Sequence, residues 1–281
     1  MEKKILLPTD FSKNALNAAR YALDLFREDR CAFFILNTYH SVGYPIDSMV
    51  LVPEPGGLTY EEAREQSEMG LEKFLAMLKL HPERPTHRFE TSSIFGTLLE
   101  GVKQQIDEKG IDLVVMGTRG ATDAEQILFG TNTVHMMEQV LDCPVLAVPA
   151  GYRYSIPRHI LFPTGFEFRL QKSVLRFLLE IATVHRSMVH ILHMGADQPK
   201  EQISRKRELN RILVGIPHEF HFLDESKVAR GISLFLNERP CEMIVFMNRK
   251  HSFLEKLLKR PLVKELGYHP QIPILELNVP K

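Results

Sequence analysis

The chain of 281 residues is 44% hydrophobic and 25% charged, an ordinary globular composition with enough length for two domains that each bury a core. No uncharged apolar run reaches the roughly 18 residues of a membrane span, and Met1-Glu2-Lys3-Lys4 leads straight into a strand, so no membrane partner and a cytoplasmic location are expected. Net charge is zero overall but −8 over residues 1–150 and +8 over the rest; this favours packing of one half on the other above nucleic-acid binding, for which no RNP, helix-turn-helix or zinc-finger pattern exists.

In chain order, Lys4 to Pro8 form a short apolar strand that ends in Thr9-Asp10-Phe11-Ser12. Ser12 can cap the next helix, whose buried face is marked by Ala15, Ala18, Ala19, Ala22, Leu23 and Phe26. Cys31 to Asn37 read as a second buried strand. A Pro- and Gly-bearing loop, His40 to Leu58, follows, and Thr59 with Glu62 predicts a capping box for an acidic helix reaching about Leu80. His87 to Thr91 give a third strand and Gly96 to Glu108 a third helix. Strands alternating with helices argue for a parallel α/β sheet covered on both faces.

Leu113 to Gly117 then read as a buried strand stopping at a glycine, with Gly120, Gly130 and Thr131 after it. Glycines without a Cβ let the chain turn with positive φ and let phosphate oxygens approach the main chain. A helix starting at Thr131 presents unpaired N–H groups to an anion, to which the hydroxyls of Thr131 and Thr133 add donors. This helix is expected to reach about Leu141, before a last strand, Pro144 to Val148.

The pattern then begins again. Ile160 to Phe166 repeat Ile5 to Phe11, Val189 to His193 repeat Phe33 to Asn37, Met243 to Met247 repeat Asp112 to Met116, and Pro273-Ile274-Leu275 echo Pro144-Val145-Leu146. Two copies, 1–150 and 156–281, are joined near Gly151 to Pro157. Cys31, Cys143 and Cys241 are far apart, which suits buried, inert thiols in a reduced compartment. The twelve histidines show no zinc-finger or HExxH spacing, and His190 and His193, three apart on a strand, fall on opposite faces, so no metal site is expected there.

The spacing of Gly117, Gly120, Gly130 and Thr131 matches Gly-x2-Gly-x9-Gly-(Ser/Thr) without a gap and resembles the nucleotide-binding motif of the universal stress protein family. The repeat extends the resemblance over nearly the whole chain as a tandem of two such domains. It implies an adenine nucleotide alpha hydrolase-like fold, two open parallel five-stranded sheets in the order 3-2-1-4-5, and pairing of two domains through their last strands. A homodimer is a further partner the family allows. The acid that contacts the nucleoside would be Asp10; other contacts would fall on Pro8, Thr9, Thr38, Met116 and the segment Gly130, Thr131, Asn132 and Thr133, with Gly117 and Gly120 at the phosphates. A carboxylate accepts from ribose hydroxyls and repels phosphate, which suits this division. By itself, Asp10 reads equally well as a capping acid beside Ser12. Arg119 could reach a terminal phosphate or be a solvated loop residue.

In the second copy Asp10 becomes Gly165, Gly117 becomes Asn248, Gly120 becomes His251 and Gly130 becomes Pro261, so this half is not expected to bind ATP in the same way. Asn248 to His251 with Lys256, Lys259 and Arg260 read as a solvated face or a site for another anion. No P-loop, kinase set or base to activate water is present. The expectation is a stress-response protein binding ATP or a related adenine nucleotide, with Mg²⁺ only as a phosphate counter-ion, a regulatory or sensing role, and at most slow ATP hydrolysis. A nucleotide-independent interaction module and an ATP-using enzyme of a related superfamily are the alternatives.

Overall fold

The structure, a computed structural model, describes residues 2–40, 58–82, 86–118, 131–166, 170–195, 200–225, 228–248 and 272–278. Its first half runs β1 (Lys3–Pro8), α1 (Lys13–Leu25), β2 (Cys31–Tyr39), α2 (Leu58–Lys79), β3 (His87–Phe95), α3 (Leu98–Lys109), β4 (Leu113–Gly117), α4 (Thr131–Gln139) and β5 (Val145–Val148). The second runs β6 (His159–Pro163), α5 (Arg176–His185), β7 (Met188–Met194), α6 (Lys200–Ile212), β8 (His218–Leu223), α7 (Val228–Glu238), β9 (Met243–Asn248) and β10 (Ile274–Asn278).

The ten strands among the described residues form one sheet, ordered β3-β2-β1-β4-β5-β10-β9-β6-β7-β8. Each half thus has the expected order 3-2-1-4-5, and its strands are parallel. Where the halves meet, β10 lies antiparallel to β5, with Leu275 opposite Leu146. The C-terminal ends of the strands therefore lie at one rim of the sheet in the first half and at the opposite rim in the second.

Strands covered on both faces must be apolar throughout, and Cys31 to Asn37 are buried without a break. Alternation then sorts their side chains. Ile5, Leu7, Phe33, Ile35 and Val115 meet α1 and α2 through Ala18 and Phe74, whereas Leu6, Phe34, Leu36, Val114 and Met116 meet α3 and α4 through Val102, Met136 and Met137. Ser12 caps α1 by accepting from the Ala15 N–H. Cys31, Cys143 and Cys241 are all free and buried, and burial, the largest cause, pushes each thiol up to about 12. No helix among the described residues is long and apolar enough to cross a membrane.

Several boundaries differ from the sequence reading. Helix α2 already includes Leu58, so Thr59 stands inside the first turn and is not its cap; the capping box in this half is Thr97 with Glu100, at the start of α3. Strand β3 continues past Thr91 to Phe95, because β2 runs on to Tyr39 and holds it in register. The loop 41–57 lies outside the described residues.

The halves also pack through helices. Phe26 meets Phe177 in a T-shaped pair at 6.2 Å, and the linker rings Tyr152 and Tyr154 stand against Tyr21 at 6.0 and 5.5 Å. Lys3–Glu180 at 3.3 Å and Arg176–Asp112 at 2.9 Å join opposite charges across the seam. The Nε2 of buried His185 reaches the Leu25 carbonyl at 3.0 Å, so that nitrogen carries the proton.

Burial, the largest cause, lowers the His185 pKa below its ordinary 6.5, with Arg158 and Arg27 lowering it further while the Leu25 carbonyl and Asp29 raise it. A depressed folded value means that the unfolded chain takes up the proton first as pH falls. The stability that neutral His185 contributes is therefore full above about pH 6.5 and is lost as pH drops through the folded value. Denaturant midpoints at pH 7.5 and 5.5 for wild type and His185→Gln check this; the gap between the two proteins is expected to narrow at the lower pH, and a constant gap contradicts it.

Candidate functional site

Strand β1 lies between β2 and β4, and the sheet reverses its winding between β1 and β4. A crevice opens at such a switch point, outside the carboxyl ends of the strands. Pro8 and Gly117 end the two strands that flank it.

The turn after β1 is tightly specified. Thr9 is buried; its N–H donates to the Leu36 carbonyl at 2.8 Å and its Oγ1 accepts from the Phe11 N–H at 2.9 Å. Its carbonyl accepts from Asn37 Nδ2 at 2.7 Å, and Asn37 Oδ1 in turn accepts from Ser67 Oγ of α2 at 2.7 Å. Phe11 is held at φ +63°, an uncommon value for a bulky residue. Its ring lies where a Cβ on Gly70 would be, 2.3 Å away, so α2 can approach only because residue 70 is glycine. Asp10 is thereby fixed at the mouth, exposed, with Oδ1 accepting from the Ser12 N–H at 3.0 Å. Serving that turn and facing a ligand are compatible, since a carboxylate has several acceptor sites.

Strand β2 extends past the expected Asn37 to Tyr39, which makes Thr38 its penultimate residue. β1 stops opposite Leu36 while β2 continues to Tyr39, so the main chain of Asn37 to Tyr39 has no β1 partner on the crevice side. The Thr38 methyl is turned toward α3, 2.6 Å from where a Cβ on Gly101 would stand. Beyond it the wall is aromatic: Tyr39, Tyr60 and Phe95 lie with ring centres 5.2 to 5.8 Å apart.

On β4, Met116 is buried and Gly117 half-buried. Gly117 is not among the residues with positive φ, contrary to the turn expected there. What requires glycine is contact with the start of α1: an added Cβ would lie 3.1 Å from the Asn14 oxygen and 3.2 Å from its carbonyl carbon. Thr133 also differs from expectation. Its buried hydroxyl donates to the Gly117 carbonyl at 2.9 Å, so it ties α4 to the strand end and is not an uncommitted donor. Thr131 begins α4 and Asn132 is exposed beside it. Gly120, Gly130 and Arg119 lie outside the described residues.

The structure thus brings Pro8, Thr9, Asp10, Met116, Gly117 and the start of α4 around one crevice, with Thr38 on its β2 wall. Sequence reasoning missed Asn37, Ser67, Gly70 and Thr118. Asn37 had a signal, a polar residue closing an apolar run. Thr118 is 1% exposed, and its hydroxyl has no hydrogen-bond partner among the described residues.

The second half rebuilds the same turn. Thr164 Oγ1 accepts from the Phe166 N–H at 3.1 Å, Phe166 has φ +51°, and His193 Nδ1 donates to the Thr164 carbonyl at 3.0 Å, where Asn37 stands in the first half. Gly165 replaces the acid, and Asn248 ends β9 where Gly117 ends β4. His251 and Pro261 fall outside the described residues. A cavity of about 290 Å³, lined by Arg27, Tyr154, Arg158 and Arg186 among others, shares no residue with either crevice.

The family model described as Universal stress protein family matches residues 1–149. Universal stress protein MJ0531 of Methanocaldococcus jannaschii is 31% identical over 150 residues, 52% of this chain and 81% of that protein. Universal stress protein YxiE of Bacillus subtilis is 27% identical over 149 residues, 53% of this chain and 99% of that protein. Over nearly its whole length, 98% of each chain, the fold overlays a solved universal stress protein from Archaeoglobus fulgidus with TM-score 0.71 at 16% identity.

Proposed function

Because the chain belongs to the universal stress protein family, we propose that residues 1–150 form a domain that binds ATP or a related adenine nucleotide between β1 and β4, and that residues 156–281 form a second, degenerate domain of the same kind. The observation that carries the reading is the meeting, at one switch point, of the Asp10 turn with the Gly117 strand end and the start of α4. Asp10 accepts from the ribose; the main chain around Gly117, Gly120 and Gly130 and the N-terminus of α4 receive the phosphates; the main chain of β2 near Thr38 reads the base. A Mg²⁺ ion enters with the phosphates as their counter-ion. In the second domain Gly165 has no side chain to offer the ribose a carboxylate acceptor, while the Thr164, Phe166 and His193 turn supports descent from the same unit.

We read the protein's role as regulation or sensing in the cytoplasm, with ATP hydrolysis at most slow. Calorimetric titration with ATP, ADP and AMP is the test, with one site per chain expected. Asp10→Ala is expected to weaken binding about 10- to 100-fold, the loss of one or two hydrogen bonds to a charged acceptor. No binding of any of the three overturns the nucleotide reading, and two equivalent sites overturn the degeneracy of the second domain.

A further inference from the structure

The parallel register of β6, β7 and β8 sets a row of histidines on one face of the sheet. His190 on β7 lies opposite Leu161 on β6 and Glu219 on β8, and His159 and His221 each stand two residues along their strands from those partners, hence on the same face. His159 Nδ1 is 3.0 Å from His190 Nε2, and His190 Nδ1 is 3.1 Å from His221 Nε2. The Glu219 Oε2 atom lies 3.5 Å from His221 Nε2 and 4.0 Å from His190 Nδ1. His190 and His193 do point to opposite faces, as their spacing dictates, but the neighbours that matter come from other strands.

We propose that His190 Nδ1, His221 Nε2 and the Glu219 carboxylate form a binding site for a divalent first-row transition-metal ion, with zinc the best fit. Zinc holds imidazole nitrogen at about 2.0–2.1 Å and carboxylate oxygen at about 2.0–2.2 Å, so two tetrahedral donors stand roughly 3.3–3.5 Å apart. The three observed separations, 3.1, 3.5 and 4.0 Å, bracket that value, and all three ligand atoms fall within 4.8 Å of one another.

The surroundings have what such a site needs. A ligating histidine uses its other nitrogen to donate to an acceptor that fixes its tautomer, and His190 Nε2 already faces His159 Nδ1. His159 is itself anchored, its main-chain N–H donating to Glu242 at 2.7 Å. The Phe235 ring of α7 packs at 5.6 Å from the His190 ring and 4.9 Å from that of His221, so both imidazoles are held. His190 is only 4% exposed, whereas the Glu219 side chain is about half exposed at 49%, which gives the ion a route in from solvent and leaves a fourth position for water. Arg239 lies 3.3 Å from the same Glu219 oxygen and competes for it when no ion is bound. His159 opens β6, His190 is third in β7 and His221 is fourth in β8, and none of them belongs to the Thr164, Phe166 and His193 turn, so this proposal does not depend on nucleotide binding.

The test uses the full chain, stripped with a chelator and titrated with Zn²⁺ by calorimetry and with Co²⁺ by visible absorption. One equivalent is expected, with the intense d–d bands of tetrahedral cobalt. Glu219→Gln and His221→Asn are each expected to weaken zinc binding by about 100-fold or more, at least the upper range for losing an outer-shell partner. Both positions reach solvent, so these variants keep the fold, which metal-free denaturation curves verify. Ring-nitrogen NMR supplies a second readout, since zinc must shift His190 Nδ1 and His221 Nε2. Equal zinc affinity in wild type and the Glu219→Gln/His221→Asn double variant, or unmoved ring signals at saturating zinc, overturns the proposal.

Discussion

Replacing Gly117 with valine is expected to abolish adenine-nucleotide binding and to lower stability by about 1–3 kcal/mol, the usual cost of overpacking. The first new atom would arrive 3.1 Å from the Asn14 oxygen, and that neighbour is main chain, which cannot rotate aside. Either α1 or the end of β4 must move, and each forms a wall of the crevice. The Thr133 hydroxyl bond to the Gly117 carbonyl would transmit the shift to the start of α4. Urea denaturation and calorimetry on the same preparation measure both effects, with Gly117→Ala expected to fall between wild type and valine. Wild-type affinity in the valine variant would show that the strand end takes no part in the site.

The second large effect concerns the paired turns. Asn37→Leu leaves the buried Thr9 carbonyl without its side-chain donor, at a cost of about 1–3 kcal/mol, while the Ser67 hydroxyl loses one acceptor and keeps the Ser93 hydroxyl at 2.7 Å. It also frees the Asp10 turn, so nucleotide binding should weaken even though Asn37 makes no contact with ligand in the proposed site. His193→Leu should cost a similar amount by stranding the Thr164 carbonyl, but leave nucleotide binding unchanged. His193→Asn, which restores a donor of the first-half type, should recover part of that stability. Denaturation midpoints of the three variants decide the matter; equal losses for His193→Leu and His193→Asn would mean that ring packing, not the donated bond, holds the second turn.

Most of the architecture was legible because parallel strands covered on both faces must be apolar. Runs such as Cys31 to Asn37 and Leu113 to Gly117 therefore mark themselves, and their repetition marks the second half. Capping was harder to locate. Thr59-x-x-Glu62 and Thr97-x-x-Glu100 are the same local pattern, and only where the chain leaves the helix decides which one caps. The crevice was legible in its members but not in their tasks. A glycine tolerates both positive φ and close approach, and the sequence does not say which Gly117 supplies; a threonine at a helix start does not reveal that its hydroxyl is committed to a strand carbonyl. The histidine row was invisible for a further reason, since separation along β7 says nothing of what the register of β6 and β8 sets beside it.

The antiparallel join of β5 to β10 has a consequence for assembly. It uses up, within one chain, the hydrogen-bonding border that a lone five-stranded unit would leave open at its fifth strand, so the only unpaired strand borders among the described residues are those of β3 and β8. Both carry charge: Arg88 is paired with Glu2 and Glu90 with Lys109 on one, and Glu219 with Arg239 on the other. Charged side chains on an outermost strand discourage another chain from adding to it. A homodimer of this protein is therefore expected to form through helix-covered surfaces, with the sheet stopping at ten strands.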